Sequence, residues 1–273
     1  MDFGMTNRLS KIFRPKTGKT VMLAVDHGYF QGPTTGLKDM KNIAPLIPHA
    51  DCLFVTRGIL RNAIDPRLGT SVCLRVSGGP SILGELSDED IIVSMEEALR
   101  VNASGVGMSI FVGARNEDRT IANLGRLVNE AERYGMPVLA ITAVGKDMVR
   151  DARYLGLACR IAAEIGAHFV KTYYCDDFHR VVEGCPVPIV IAGGRKLPET
   201  DALLMTENAI GAGARGVDMG RNIFQSDNPA GMIRAVKAIV HKGASATEAF
   251  EIYRESKKPL SATEKTDENM EKV

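Results

Sequence analysis

Eight short runs of apolar and β-branched residues recur along the chain, one about every 28 residues, which is close to the size of a βα unit. Most of these runs are continuously apolar rather than alternating, a pattern typical of parallel strands that are buried on both faces. The runs cover residues 20–25, 51–55, 71–76, 104–111, 137–142, 167–173, 188–192 and 214–219. They predict eight strands of a parallel sheet.

Helical periodicity is found between most of these runs. Four segments show it most clearly: residues 116–134, 150–165, 199–211 and 229–240. In the second segment Leu157, Ile161 and Ile165 recur at intervals of four, which predicts that they form its buried face. The links after the second and sixth runs are short, so we expect short helices there.

Strands alternate with helices along the chain without any break in composition. This arrangement favours an α/β protein with a single (β/α)8 TIM barrel over two separate domains. An open, doubly wound sheet is the alternative architecture. The barrel is predicted to span residues 1–256. Residues 257–273 are polar, charged and nearly free of large apolar side chains, so we expect them to form a flexible tail.

The charge balance narrows the range of partners. The chain has 34 Lys and Arg residues against 33 Asp and Glu residues, a formal net charge of +1, which argues against nucleic acid or an anionic membrane as the main partner. No apolar run reaches the length of about 18 residues that a membrane helix needs. The five cysteines are scattered without a Cys-x-x-Cys pair, which favours reduced thiols. We therefore expect a cytoplasmic protein.

Lys171 is an unusual residue for the interior of an apolar strand. In a (β/α)8 barrel the working side chains stand at the C-terminal ends of the strands. Alternation along the sixth run puts Lys171 on the same face as Phe169 and Tyr173, toward the barrel interior. A lysine that is desolvated near other cations loses its proton more easily and can form a Schiff base. The alternatives are a lysine that extends to solvent and a simple phosphate ligand.

Asp26 follows the first run, where a buried carboxylate is unfavourable unless it has a partner or a catalytic task. A salt bridge to a neighbouring lysine is the simpler interpretation, and it would help to position Lys171 or Lys146. Three histidines, His27, His168 and His179, are spaced too widely to form a compact ligand set, so no metal site is predicted.

Glycines follow the seventh and eighth runs, at the positions where barrel enzymes often bind phosphate. Gly193 and Gly194 end the seventh run, and Gly220 and Arg221 end the eighth. Glycines allow backbone amides to approach a phosphate closely, and helix N-termini behind them add positive potential. The alternative is that these glycines only end strands and turn the chain. Because both signals occur together, we predict a phosphate site.

Several of these segments resemble the class I, Schiff-base aldolase family, in the branch that contains archaeal-type fructose-bisphosphate aldolase. The resembling segments are residues 25–28, 170–174, 191–194 and 217–225. Residues 15–24, 26–36 and 144–151 are similar to a thiolase branch of this family, which completes the processing of the phosphorylated autoinducer-2 signal in quorum sensing. The resemblance extends from Met5 to about Glu255.

The resemblance implies roles for individual residues. Lys171 would be the Schiff-base lysine, with Asp26 near it. In the mechanism that we expect, Asp26 would shuttle protons at the imine and Lys146 would help Lys171 to lose its proton. Phosphate would be held by Gly193, Gly194, Gly220 and Arg221. The resemblance also implies a homo-oligomer, commonly a decamer built from pentamers. We expect no bound cofactor or metal.

The activity that the resemblance implies is carbon–carbon cleavage of a phosphorylated keto substrate. We expect coenzyme A-dependent thiolysis of 3-hydroxy-5-phosphonooxypentane-2,4-dione to dihydroxyacetone phosphate and acetyl-CoA, with coenzyme A as co-substrate. The alternative is a class I fructose-bisphosphate aldolase. The aldolases of this family carry a tyrosine acid/base after the fifth strand, and the matching position here is Ala143. An aldolase would therefore need a water or His27 to supply the proton.

Two hypotheses from other functional classes would also account for a phosphate site. The glycines and Arg221 could hold the phosphate of a flavin, as in flavin-dependent barrel oxidoreductases. The chain could also be a non-catalytic binder of sugar phosphates. Neither hypothesis explains a lysine buried in the middle of a strand.

Overall fold

A computed structural model describes residues 2–143 and 149–256. Its eight parallel strands close into a barrel, and each strand begins and ends within two residues of a predicted run. The strands are Thr20–Ala24, Cys52–Thr56, Ser71–Arg75, Gly105–Ile110, Val138–Thr142, Phe169–Tyr173, Ile189–Ala192 and Gly216–Met219. The first strand pairs with the eighth, Thr20 opposite Gly216. The prediction of a (β/α)8 barrel is confirmed, and the open-sheet alternative is wrong.

The four predicted helices are present at Glu117–Arg133, Ala152–Glu164, Glu199–Gly211 and Pro229–Lys242. The helices after the second and sixth strands have seven residues each, as the short links predicted. The remaining α-helices are Phe3–Ile12, Gly28–Gln31, Met95–Arg100, Arg221–Phe224 and Ala246–Glu255, and 3-10 turns occupy Met40–Asn42, Ala44–His49 and Pro66–Leu68. Within the described ranges, no helix is both long and apolar enough to span a bilayer.

The predicted buried face of helix Ala152–Glu164 is only partly correct. Ile161 and Ile165 are partly buried against the core. Leu157 is 54% exposed, whereas the buried positions are Leu155, Ala158, Cys159 and Ala162. Both sets recur at helical spacing, so periodicity alone does not distinguish them. The buried set is rich in small residues. We attribute the choice of face to these residues, because they let the helix approach the strands closely.

Helix Phe3–Ile12, which the sequence pattern did not predict, closes the N-terminal end of the barrel. Ile12 packs into the apolar cluster inside the barrel, and the ring of Phe13 lies edge-on to Phe169 with 5.3 Å between centroids. The rest of this cluster is Met22, Ala24, Cys52, Phe54, Cys73, Leu139, Phe169 and Val190. These apolar side chains therefore fill the N-terminal end of the barrel interior.

A buried carboxylate joins several elements at this closed end. Asp51 accepts hydrogen bonds from the Val21 N–H at 2.7 Å and from Arg14 Nε at 2.5 Å, and its Oδ2 lies 2.6 Å from His241 Nε2. Burial by itself would raise the pKa of Asp51, but these partners outweigh it and the pKa lies below the usual 3.8. Asp51 therefore links the first two strands to helix Pro229–Lys242.

We expect Asp51→Asn to lower the free energy of unfolding by about 2 kcal/mol at pH 7, because it removes hydrogen bonds between charged groups. Since the pKa of Asp51 is lower in the folded state, its stabilising effect is complete above pH 3.8 and is lost as the pH falls through the folded value. Urea unfolding at pH 7 and pH 3 should show a smaller difference at pH 3. Asp176→Asn, at an exposed carboxylate in the loop after the sixth strand, is the control and should leave the urea midpoint unchanged. An equal deficit at both pH values would contradict the linkage.

Candidate active site

The open end of the barrel contains a cavity of about 290 Å³, a size suited to a small molecule. All the predicted site residues that the structure describes line this cavity: Asp26, His27, Lys171, Gly193, Gly194, Gly220 and Arg221. Lys146 lies outside the described residues, so its predicted role stays a prediction.

Lys171 points from the sixth strand into the barrel interior and is only 8% exposed. Its Nζ lies 5.3 Å from the centroid of the Phe54 ring, at the top of the apolar cluster. Among the described residues, the nearest charged group is Asp218 on the eighth strand, whose Oδ2 is 2.7 Å from the amine. Burial on one side and an open cavity on the other suit a nucleophile.

Asp218, which the sequence analysis did not select, has a fully buried side chain. Neither carboxylate oxygen has a hydrogen bond of acceptable geometry within the described part of the chain, so the contact with Lys171 is an ion pair. Burial raises the pKa of Asp218, and the positive charge of Lys171 only partly offsets this effect. The signal available in the sequence was the same as for Lys171, a charged residue inside an apolar strand.

Asp26 does not form the predicted salt bridge to a lysine. Its Oδ2 accepts a hydrogen bond of 3.0 Å from Arg75 Nη1, and Arg75 comes from the end of the third strand. Burial opposes ionisation of Asp26, but His27, Arg75 and Lys171 together hold its pKa below the usual value.

Arg75 is the centre of a buried network that sequence reasoning missed. Its Nη2 lies 2.6 Å from Glu89 Oε1, 2.6 Å from Tyr29 Oη and 2.7 Å from Ser109 Oγ. Tyr29 also donates a hydrogen bond to Glu89. Tyr29 belongs to the connection after the first strand, and Glu89 belongs to the connection after the third strand. The latter contains a small antiparallel pair, Ser77–Gly78 with Asp90–Ile91. One guanidinium thus fixes two loops over the mouth.

His27 is a neutral side chain at physiological pH. Burial lowers the pKa of His27 to about 4, and the cations Lys171, Arg221 and Arg75 contribute in the same direction, while Asp26 opposes them. Its Nδ1 is 3.7 Å from Asp26 Oδ1, beyond hydrogen-bond distance, and has no partner among the described residues. A neutral imidazole in the cavity can accept or relay a proton.

The residues predicted to bind phosphate adjoin one another at the mouth of the barrel. Gly194 and Gly220 are glycines for different structural reasons. Gly194 has φ +66°, which favours glycine, and the space where a Cβ would project is open apart from distant Tyr173 ring atoms. Gly220 has no room for a Cβ, which would lie 2.5 Å from the Ala24 carbonyl oxygen. The simpler interpretation, that a glycine serves packing, therefore holds for Gly220, while Gly194 leaves backbone accessible to a ligand.

Asn222 connects the two loops that carry these glycines. Its Nδ2 donates to the Gly193 carbonyl at 2.6 Å, and its Oδ1 accepts from the Leu197 N–H at 2.8 Å. Beside it, Arg221 lies at the start of the four-residue helix Arg221–Phe224, and its Nε is buried without a hydrogen-bond partner in the described chain. A buried guanidinium donor that faces a cavity is suited to an anion such as phosphate.

Ala143 lines the cavity immediately after the fifth strand. Its backbone N–H donates to the Ile110 carbonyl at 2.9 Å, so the position is held by the barrel. The side chain is a methyl group, and it presents no hydroxyl to a bound substrate.

A protein-family model described as DeoC/LacD family aldolase matches residues 20–226. This range includes all eight strands of the barrel and every predicted site residue. The chain belongs to the DeoC/LacD aldolase family. It is therefore an enzyme of the class I aldolase type, as the sequence motifs predicted.

Among curated proteins, the chain is 57% identical over 259 residues to 3-hydroxy-5-phosphonooxypentane-2,4-dione thiolase of Photorhabdus laumondii, covering 94% of this chain and 89% of that protein. It is 57% identical, over the same shares of the two chains, to the thiolase of the same name from Escherichia coli K12. The similarity to the thiolase branch is confirmed at this level of identity.

Solved aldolase structures share the fold of this DeoC/LacD aldolase. A Schiff base-forming fructose-1,6-bisphosphate aldolase superposes with a TM-score of 0.78 at 29% identity, covering 86% of this chain and 99% of the other. An archaeal fructose-1,6-bisphosphate aldolase whose catalytic lysine is covalently bound to the carbinolamine intermediate gives a TM-score of 0.77 at 28% identity, covering 87% and 99%.

Proposed function

We propose that this aldolase-family enzyme catalyses coenzyme A-dependent thiolysis of 3-hydroxy-5-phosphonooxypentane-2,4-dione, through an imine on Lys171. The observation that carries this choice is the 57% identity to the named thiolases across 94% of the chain, against 29% to the Schiff-base aldolase. The pocket agrees with it, because a buried lysine lines the same cavity as Arg221, whose Nε has no hydrogen-bond partner in the described part of the chain.

The substrate's phosphate binds beside Gly194 and Arg221, with Gly193 and Gly220 shaping the loops. When the phosphate is bound there, the C4 carbonyl, next to the carbon that carries the phosphate, lies at Lys171 on the sixth strand. The amine adds to C4, and loss of water gives a cationic imine. Asp26, held by Arg75, is available to move protons at the substrate's oxygen atoms.

The imine then serves as the acceptor of an electron pair. The coenzyme A thiol loses its proton to a base in the pocket, and its sulfur bonds to the C2 carbonyl carbon. When the carbonyl re-forms, the C2–C3 bond breaks and its electron pair moves to C3, where it becomes part of the enamine. Acetyl-CoA leaves. Protonation at C3 and hydrolysis of the imine release dihydroxyacetone phosphate and the free lysine. No oxidant or reductant is needed.

Ala143 favours thiolysis over the alternative of fructose-bisphosphate cleavage. Aldol cleavage produces an aldehyde and needs a group that moves the proton of the hydroxyl being converted. Ala143 offers no such group at the position where the related aldolases carry a tyrosine. Thiolysis of the dione releases a thioester and a ketone rather than an aldehyde, so it does not need this group. His27, which is neutral, is the side chain that would have to replace the tyrosine in an aldolase.

Product analysis with and without coenzyme A tests the proposal. The enzyme is incubated with the five-carbon dione phosphate, and acetyl-CoA and dihydroxyacetone phosphate are quantified. We expect both products in equal amounts, and only when coenzyme A is present. Efficient cleavage of fructose 1,6-bisphosphate without coenzyme A would instead establish the aldolase alternative. A yellow protein with bound flavin would favour an oxidoreductase.

We expect Arg221→Ala to raise the KM for the dione phosphate by about 10- to 150-fold, since a charge-assisted phosphate contact contributes about 1.5–3 kcal/mol. The effect on kcat should be small, because the guanidinium contacts the non-reacting end of the substrate. Steady-state kinetics with the dione phosphate measure both constants. The control is Arg195→Ala, an exposed arginine one residue beyond Gly194. An unchanged KM in Arg221→Ala would remove Arg221 from the phosphate site.

The proposal includes a homo-oligomer that works in the cytoplasm, where coenzyme A is available. An apolar surface groove that contains Val149, 71% exposed, and Leu157, 54% exposed, supports an interface between copies. Sedimentation of the wild type and of Leu157→Glu tests it. A monomeric wild-type protein would contradict this part of the proposal.

A further inference from the structure

We propose that Asp218 is a catalytic residue, the group that takes a proton from Lys171 before the amine attacks and returns it when water leaves. This inference rests on the imine chemistry of the proposed function. It holds for either substrate, because the thiolase and the aldolase alternatives both begin by forming the imine.

The contact between the two side chains is direct and isolated. Asp218 Oδ2 lies 2.7 Å from Lys171 Nζ, and the carboxylate has no hydrogen bond to any other group in the described chain. Its side chain is fully buried, whereas that of Lys171 is 10% exposed at the base of the cavity. Asp218 is also among the residues that line the cavity beside Lys171. Its carboxylate can therefore exchange a proton with the nitrogen and with an oxygen on the carbon that the nitrogen attacks.

Asp26 is less suited to this task than the sequence suggested. Its Oδ2 accepts a hydrogen bond from Arg75, a permanent cation that keeps the carboxylate ionised. Burial has the opposite effect on Asp218, whose pKa is raised above the ordinary value. Of the two carboxylates, Asp218 accepts a proton more readily, and it is the one in contact with the nucleophile.

The proton movements balance over one round of imine formation. The Lys171 ammonium gives a proton to Asp218, and the nitrogen lone pair bonds to the carbonyl carbon while the C=O π pair moves to oxygen. A proton then passes from nitrogen to that oxygen, which gives a neutral carbinolamine. Protonated Asp218 returns its proton to the departing oxygen, the C–O bond breaks, and water leaves. The cationic imine and the Asp218 carboxylate then form an ion pair in place of the original one.

Other ionisable groups act on Asp218 and must be considered in any pH profile. Asp26 and Arg75 act on it across the mouth, and the Cys52 and Cys73 thiols interact with it from the neighbouring barrel strands. Burial raises the pKa of both thiols, Cys52 to about 12, so they stay protonated over the range of the assay. Arg75 stays charged. The charges of Arg75 and of the two thiols therefore do not change between pH 6 and pH 10.

The test is the rate at which borohydride traps dihydroxyacetone phosphate on Lys171, measured by intact mass from pH 6 to pH 10. We expect Asp218→Asn to slow trapping by about 100-fold at pH 7, in line with the loss of a general base. The deficit should shrink at least tenfold by pH 10, where hydroxide removes the ammonium proton instead. Asp51→Asn is the matched control, a buried aspartate at the closed end of the barrel, and it should trap at the wild-type rate.

Each outcome is decisive. Wild-type trapping by Asp218→Asn at pH 7, or a deficit that stays constant across the pH range, would overturn the role of Asp218. Should Asp218→Asn fail to fold, Asp218→Ser replaces it in the same assay. If the wild type forms no adduct on Lys171, both the imine mechanism and the role of Asp218 are wrong. If it forms the adduct but does not cleave the dione phosphate, only the proposed substrate is wrong.

Discussion

Lys171→Arg is expected to lower kcat by at least about a thousandfold, because a guanidinium stays protonated and forms no imine at neutral pH. Phosphate affinity should survive, since Gly194 and Arg221 are unchanged. The variant therefore separates the chemistry of the amine from its positive charge. Steady-state kinetics with the dione phosphate and coenzyme A give kcat, and calorimetry with dihydroxyacetone phosphate gives the affinity.

The control for this substitution is Lys196→Arg. Lys196 lies in the loop after the seventh strand, outside the cavity lining, and pairs with Glu199 at 2.9 Å. Arginine can keep that ion pair, so activity should be retained. If Lys171→Arg kept a near-normal kcat with a raised KM, Lys171 would be a phosphate ligand and the imine mechanism would be abandoned.

Arg75→Met is expected to lower the free energy of unfolding by about 3–5 kcal/mol, because it leaves two buried carboxylates without their cation. Asp26 and Glu89 both lie within 3.0 Å of this guanidinium, and the side chains of all three are at most 7% exposed. Urea denaturation at pH 7 measures the loss. Activity should fall as well, since Asp26 and the loops over the mouth lose their common anchor.

A second substitution distinguishes lost charge compensation from lost packing. In Arg75→Met with Glu89→Gln one of the two uncompensated charges is gone, so part of the stability should return. If the deficit came only from altered packing, the double variant would be no more stable than Arg75→Met. A single variant within about 1 kcal/mol of the wild type would show that the network contributes little.

The barrel was predictable because its strands follow a local rule. A parallel strand covered on both faces must be apolar along its length, so each strand is visible in its own few residues. Lys171 was identified because it departs from this rule, as a charged residue inside an otherwise apolar strand. Helix faces were less certain: residues 150–165 contain two apolar stripes at helical spacing, and the pattern favoured the stripe with Leu157, which is exposed.

The partners of the site residues were not predictable in the same way. Asp26 was expected to pair with a lysine and pairs with Arg75, and the lysine pairs with Asp218. The two residues of each contact are about 50 positions apart in the chain, and no local pattern relates them. The link that Asn222 makes between the loops after the seventh and eighth strands is of the same kind.

The sequence by itself determined the barrel, the strand that carries the lysine and the two strand ends where the phosphate site is proposed. It could do so because burial and turn formation select residue types position by position. Only the tertiary structure decided which carboxylate touches the lysine. That choice depends on the register of three neighbouring strands, in which Lys171 pairs with Val190 and Asp218 with Ala192. Closure of the whole barrel sets this register, so the proximity of Asp218 to Lys171 is a property of the fold.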